Sequence, residues 1–424
     1  MFNKTKLQNG VHLYIRKTDQ FKTVNVTIKW KAPLDQKKAS ERTVLANVLE
    51  ATTKQYPTLS EMRKALDELY GTVLFTDVSK RSSQHIVSLY TECVNDEFFE
   101  GEDIFKQLWQ LIRSVVFDPN VTDGAFDPAV TEREKRNVRD RIRSIYDDKT
   151  RFAQKRMLEI MRPDHPASIS AYGTEDAVAG ITHESLYATY EDMITNDLID
   201  IYVVGDVDEN EIIEQIKQFL PFTAREAAVQ NELPEVTAPD AVKTVREKQD
   251  MKQGKLHLGF DTPVSFRHPD YHKMQVTNGI FGGFAHSKLF MNVREKESMA
   301  YYANSAFASQ YGIVYVTAGI DADLEEKAVN LILEQLTSLQ NGGATELELN
   351  QTIALLENSI LGANDSARSQ IEIYDQYKEL DENFTSERLI KKWESVTLDD
   401  IKEMAKTIQL EIVYLLSGKG DESK

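Results

Sequence analysis

Asp200-Ile201-Tyr202-Val203-Val204-Gly205 is an apolar run that leads into a polar turn, and its pattern returns near the end of the chain as Glu411-Ile412-Val413-Tyr414-Leu415-Leu416. A second pair matches in the same order: Ile86-Val87-Ser88-Leu89-Tyr90 is echoed by Ile313-Val314-Tyr315-Val316-Thr317. Short runs rich in β-branched and aromatic residues read as strands. A repeat at a period of roughly 210–230 residues is too long for a solenoid, whose units run about 20–50 residues. It predicts two like domains.

The elements around the echoes keep the same order. In the first half, residues 11–16 and 24–30 alternate apolar and polar side chains, as half-buried strands do. Helices are expected at 40–51 and 60–69, strands at 72–76 and 85–91, and long helices at 97–116 and 130–145. A helix at 183–193, a strand at 199–204 and a helix from 209 close the half. The second half runs strand 256–260, helices 270–281 and 287–295, strands 301–306 and 312–318, then helices 324–339 and 345–363. It closes on a helix at 398–408 and a strand at 412–416. Sheets mixed with long helices, without strict strand-helix alternation, give an α+β fold. The expectation is two duplicated domains, 1–221 and 241–424, each a mostly antiparallel sheet covered by long helices. Pro221, Pro234 and Pro239 mark residues 222–240 as the linker.

A length of 424 residues is too great for one ordinary core. The formal net charge of -18 disfavours nucleic acid and anionic membrane surfaces as partners. No apolar stretch approaches the ~20 residues needed to span a bilayer, and the first residues show no secretory-signal pattern, so a cytoplasmic protein is expected. Cys93 is the single cysteine and sits in an apolar run. It excludes an intrachain disulfide and reads as a small core residue.

Ala46-Asn47-Val48-Leu49-Glu50-Ala51 has the outline of a zinc site with its ligands replaced. In an inverted zinc-peptidase motif, H-x-x-E-H, two histidines hold the metal and the glutamate activates its water. Here Asn47 and Ala51 fill the histidine positions and only the glutamate, Glu50, remains. Other constellations are weaker. His268 and His272 have helical spacing, but Pro269 suits the first position of a helix, which leaves His268 off its face. The mixed charges of residues 132–143 read as a solvated or chamber-lining helix face. Neither Gly282-Gly283 nor Gly342-Gly343 has phosphate-loop spacing, and no G-x-S-x-G elbow occurs.

Several segments together resemble the pitrilysin–insulinase family of H-x-x-E-H zinc peptidases, in particular its short members that work as pairs. His165-Pro166-Ala167-Ser168 through Gly173-Thr174-Glu175-Asp176 is similar to the family's H-P-Y-G…G-T-E segment. Thr182-His183-Glu184-Ser185-Leu186 and Val203-Val204-Gly205-Asp206-Val207 resemble the segment closing the first domain. Ile280-Phe281-Gly282-Gly283 and Leu289-Phe290-Met291-Asn292-Val293-Arg294-Glu295-Lys296 resemble L-G-G…L-F-x-x-V-R-E-K. The likeness covers nearly the whole chain apart from the linker and the last few residues. It implies a duplicated α+β domain.

The resemblance also implies a third zinc ligand, seven residues after the last glutamate of an E-R-E-like segment. Glu132-Arg133-Glu134 supplies that segment, and Arg141 falls at the ligand position. Asn47, Ala51 and Arg141 cannot form a catalytic zinc site, which needs three His, Asp or Glu donors and a water. Without the metal, Glu50 has no activated water to deprotonate. The family's other site is kept: an arginine and a tyrosine seven residues apart, here Arg294 and Tyr301, which in the family grip the substrate backbone. A guanidinium fork and a phenol are suitable donors to a polarised carbonyl oxygen. Glu297-Ser298-Met299 departs from the family's usual Arg-Gly-Leu.

The expectation is therefore a zinc-deficient subunit that is no enzyme alone. It would form a heterodimer with an H-x-x-E-H homologue, which would carry the zinc, and contribute peptide-substrate binding through Arg294 and Tyr301. Recognition by strand addition at a sheet edge is expected. The alternatives are a stand-alone peptide-binding module and a structural scaffold subunit.

Overall fold

The computed structural model describes residues 1–98, 103–226, 233–234 and 241–419. Most of the expected linker lies outside the described residues. Two compact units form, and each draws a segment from the other half of the sequence. The first comprises Met1–Ser144, Ile169–Glu232 and Asn364–Glu379. The second comprises Ile145–Ser168, Leu233–Ala363 and Leu380–Lys424. Residues 145–168 and 364–379 thus depart from the continuous halves expected from the sequence.

The first unit holds strands β1 (Asn3–Gln8), β2 (Val11–Lys17), β3 (Thr23–Pro33), β4 (Val73–Arg81) and β5 (Gln84–Val94). A two-stranded ribbon, β6 (Val121–Thr122) and β7 (Ala125–Phe126), precedes β8 (Leu198–Gly205). The main sheet has the order β1-β2-β8-β3-β5-β4. The second unit holds β9 (Lys243–Gln249), β10 (Gly254–Asp261), β11 (Tyr302–Ala308), β12 (Ile313–Ile320) and β13 (Gln409–Gly418), in the order β11-β12-β10-β13-β9. Read from the opposite end, β9-β13-β10-β12-β11 repeats β2-β8-β3-β5-β4, with β1 added to the first sheet. The β2/β8 and β9/β13 pairs are parallel, and the other main-sheet neighbours are antiparallel. The two sequence echoes fall on matching strands, β5 with β12 and β8 with β13.

The strand β3 differs from the half-buried strand its alternation suggests. Val24, Val26, Ile28 and Trp30 face the main apolar core, but Asn25, Thr27, Lys29 and Lys31 are buried as well. The helix Ala367–Tyr377 packs on β3 and β8 and covers that polar face. In the second unit the corresponding cover is the helix Lys149–Met161, which packs on β10 and β13. There the contact is apolar, through Ala153, Met157 and Met161 against Ile412, Tyr414 and Leu416. Burying apolar surface stabilises by about 25 cal/mol per Å² without directional demands, whereas buried charges must be paired. The two units thus hold equivalent helices by different physics.

Other expected helices agree within a few residues, and several carry their own start signals. Thr182 and Thr345 form capping boxes at the starts of the helices His183–Asn196 and Glu346–Gly362. The helix expected from 97 begins instead at Ile104, capped by Asp103. The covering helices Lys149–Met161 and Ala367–Tyr377 had no counterpart in the sequence reading. Among the described residues no helix is long and apolar enough to cross a membrane.

Candidate functional site

The degenerate motif lies at the C-terminal end of the helix Gln36–Ala51. The Asp35 carboxylate caps its start, accepting the Lys37 and Lys38 amides at 2.9 Å each. Ala46, Val48, Leu49 and Ala51 are buried, while Asn47 and Glu50 are half-buried. Glu50 Oε2 accepts the Thr76 backbone N–H at 2.7 Å and its hydroxyl at 2.9 Å. Burial pushes the Glu50 carboxyl above its ordinary value. The Thr76 hydrogen bonds oppose this, Glu134 adds to it, and Arg141 opposes it. Glu50 therefore lies in the fields of both Glu134 and Arg141, which stand on the helix Pro128–Asp147.

Glu134 is buried and accepts from Arg133 Nε at 2.7 Å and from Asn137 Nδ2 at 2.8 Å. Arg141 is exposed, with its guanidinium 5.4 Å from the centre of the Tyr172 ring. An amide, a methyl and a guanidinium at the three positions do not fit zinc, which takes imidazole, thiolate or carboxylate donors. Among the described residues no group of three or more His, Cys, Asp or Glu side chains is placed to hold a metal. His268 lies outside the helix Tyr271–Asn278, as expected, but Pro269 precedes the N-cap Asp270 rather than taking the first helical position. Cys93 is buried, and burial with the nearby Asp96 and Glu92 charges pushes its thiol up to about 12, so it is no nucleophile.

The G-T-E segment braces this region. The Gly173 backbone is left-handed, at φ +76, and an added Cβ would lie 1.8 Å from Ser40 Oγ and 2.7 Å from Ser40 Cα. Ser40 Oγ also accepts the Thr174 amide at 3.0 Å. Glu175 accepts from Arg143 Nε at 2.8 Å. These three residues tie the helices Gln36–Ala51 and Pro128–Asp147 to one turn.

Arg294 and Tyr301 belong to the second unit. Residues Gly279–Gly283 and Leu289–Lys296 are both wound as π-helix. Such widened turns are rare and occur mostly where function or packing requires them. Gly282 is required here, since a Cβ would meet the Ser305 amide nitrogen and hydroxyl at 2.6 Å. Leu289 and Val293 anchor the second π-helix in the core. Arg294 is 40% exposed in its side chain, stacks 4.5 Å from the Phe290 ring centre, and approaches Glu295 at 3.5 Å. The turn beyond is fixed by Met299 N–H donating to Val293 O at 3.1 Å and Tyr301 N–H donating to Gly319 O at 2.9 Å. Met299 and Ala300 are buried, whereas Tyr301 is 65% exposed just before the edge strand β11. A tyrosine that served only to pack the sheet would be covered. The Tyr301 ring is instead largely solvent-exposed, and the Arg294 side chain is partly so.

One constellation absent from the sequence reading is the charged cluster under the helix Ala367–Tyr377. Lys29, Lys31, Arg81 and Lys378 meet Asp200 and Asp375 there. The available signal was the pair Lys29 and Lys31 on the polar face of an alternating strand. Its partner Asp375 lies 346 positions from Lys29, beyond the reach of local patterns.

Comparison with known proteins bears on the family and the fold. A family model described as "Peptidase M16 inactive domain" matches residues 180–356. The chain is 36% identical over 412 residues to a Bacillus subtilis protein described as "Probable inactive metalloprotease YmfF", covering 96% of each. It is 22% identical over 438 residues to another Bacillus subtilis protein, "Uncharacterized zinc protease YmxG", covering 99% of each. The crystal structure of a conserved protein from Enterococcus faecalis V583 superposes with a TM-score of 0.94 at 32% identity, covering 100% of both chains.

Proposed function

The chain belongs to the M16 peptidase family, and from that premise we propose that it is a zinc-deficient subunit which pairs with an H-x-x-E-H homologue to form a heterodimeric metallopeptidase. The observation that carries this reading is the contrast between its two sites. Asn47, Ala51 and Arg141 replace the metal donors, while Arg294 and Tyr301 remain in place and exposed. A structural subunit has no use for an exposed Arg and Tyr pair at the family's substrate-binding spacing. Relatives of matching length within one organism include one described as inactive and one described as a zinc protease. That is the division of labour a two-subunit enzyme needs.

In the pair, the partner's zinc would activate the attacking water. This chain's part is to hold an extended peptide. The Arg294 guanidinium, restrained over Phe290, donates to a backbone carbonyl oxygen, and the Tyr301 hydroxyl adds a second donor. Such contacts address the backbone, so they give affinity with little sequence selectivity. A cytoplasmic setting suits the lone, buried Cys93.

The test is co-expression with a same-length H-x-x-E-H chain from the same genome. The two should co-purify as a heterodimer that cleaves a fluorogenic peptide. The isolated chain should contain no stoichiometric zinc and cleave nothing. One tightly held zinc per isolated chain, or no association with any such homologue, rejects the proposal in favour of a stand-alone binding module or scaffold.

A further inference from the structure

The strand β4 ends the first sheet, and among the described residues its outward side has no neighbouring strand. The phase of that edge follows from the β4–β5 hairpin. Arg81 faces Gln84 across the two-residue turn Ser82-Ser83, with Ser82 at φ +53. In a two-residue hairpin the pair flanking the turn is hydrogen-bonded, and antiparallel pairs then alternate. Arg81, Ser79, Asp77 and Phe75 therefore bond to β5, while Leu74, Thr76, Val78 and Lys80 aim their backbone groups outward. The hydrogen bonds confirm this phase. The Thr76 N–H donates to Glu50 Oε2 at 2.7 Å, and the Val78 N–H donates to Asp77 Oδ1 at 2.9 Å. Two successive outward donors thus end on carboxylates.

We propose that Glu50 is a sheet-edge cap: with Asp77 it fills the two central outward donors of β4, at Thr76 and Val78, and closes this edge to strand addition. An incoming strand offers neutral carbonyl oxygens, which make weaker hydrogen bonds to N–H than a carboxylate does. It would also displace Glu50 from both of its Thr76 bonds and strand a half-buried charge. Asp77 is supported from the side by Arg368, whose guanidinium lies 3.9 Å away and stacks on Phe75 and Tyr90 at 4.8 and 4.3 Å. Unpaired edge donors are a standing route to unwanted pairing, and charged side chains are a common safeguard. The retained glutamate then has a role that needs no metal. The strand addition expected from the sequence does not use this edge of this chain. The inference stands apart from the partner-subunit reading, because the cap exists in the isolated chain.

Residue-resolved amide hydrogen exchange on the full chain tests it. The Thr76 and Val78 amides should be protected about as strongly as the inward Phe75 and Asp77 amides. Glu50→Ala should speed exchange at Thr76 at least tenfold and leave Leu89 on β5 unchanged. Glu50→Gln, which keeps a side-chain carbonyl, should preserve protection, and Asp77→Ala should release Val78 alone. A peptide copying β5, residues 84–94, serves as the strand probe. It should bind the Glu50→Ala, Asp77→Ala double variant at least tenfold more tightly than the wild type. Wild-type exchange at Thr76 at the rate of a solvent-exposed amide would refute the cap, whatever the variants do. Equal peptide binding by wild type and double variant would refute the closure.

Discussion

Asp375 Oδ1 accepts the Tyr202 hydroxyl at 2.6 Å, joining the helix Ala367–Tyr377 to the interior strand β8. The same carboxylate takes Lys29 Nζ at 2.9 Å, Lys31 Nζ at 2.8 Å and Arg81 Nη2 at 2.9 Å. Burial by itself would raise the Asp375 pKa, but Lys31, Lys29, Lys378 and Arg81 outweigh it and hold the carboxyl well below its ordinary value. Asp375→Ala leaves the buried Lys29 and Lys31 and the half-buried Arg81 and Lys378 short of a partner. Removing one member of a buried ion pair typically costs about 3–5 kcal/mol. We expect a loss of that size in urea unfolding of the first unit, with early release of residues 364–379 to proteolysis. A loss under about 1 kcal/mol, the size typical of an exposed pair, would mean the cluster does not fasten the helix.

Gly173→Ala tests the brace beside the degenerate motif. The new Cβ meets the Ser40 backbone, and the residue must hold φ +76. Left-handed backbone costs about 1–2 kcal/mol for a residue with a Cβ, and overpacking adds about 1–3 kcal/mol. Thermal melting should show a total of roughly 2–5 kcal/mol. Gly124, also left-handed but with only Tyr187 ring atoms near 3.9–4.0 Å, is the control and should lose only the backbone part when changed to Ala.

Arg294→Ala and Tyr301→Phe should impair peptide cleavage by the reconstituted heterodimer without weakening assembly. Losing one preorganised donor to a developing oxyanion costs about 10²–10³ in turnover, and a ground-state contact costs less. The fall should appear in kcat if the donor acts on the transition state and in KM if it only holds substrate. Tyr301→Phe removes the hydroxyl and keeps the ring, which separates hydrogen bonding from packing. Full activity in both variants would leave this chain only a prop for its partner.

His85 gives a pH signature. Its Nδ1 accepts Arg42 Nε at 3.0 Å, and Nε2 lies 2.9 Å from the Ala171 carbonyl, so the ring is neutral with its proton on Nε2. Burial, then the Arg42 charge, lowers its pKa to about 3. The unfolded chain takes up this proton near pH 6.5 and the folded chain does not. The His85 contribution is thus complete above pH 6.5 and shrinks as pH falls toward 3, by up to about 1.4 kcal/mol per unit. Glu50 and Asp197, whose carboxyls are raised chiefly by burial, act in the opposite sense, so the informative quantity is a difference. The stability gap between wild type and His85→Gln should narrow between pH 6.5 and 5. A constant gap would mean that His85 takes up its proton in the fold as readily as in the unfolded chain.

The sequence by itself determined what depends on neighbours along the chain. Strand echoes at Asp200 and Glu411 announced a duplicated α+β fold, and the matching strand orders bear this out. Helix starts were legible because a cap needs only a hydroxyl or carboxylate within three residues, as at Thr182 and Asp35. The loss of zinc donors was legible because Asn47 and Ala51 lack the chemistry in any fold. Tertiary structure alone decided the rest. The helices Lys149–Met161 and Ala367–Tyr377 join the opposite unit, and no local period reports which sheet a helix will cover. Lys29 looked like a solvated strand residue until Asp375 arrived from the other half of the chain. Glu50 looked like a base without a metal, and only the pairing of β4 with β5 turned the Thr76 amide outward to meet it. Backbone propensity and capping act over a few residues, whereas a buried charge or an open strand edge is satisfied by whatever the fold brings near.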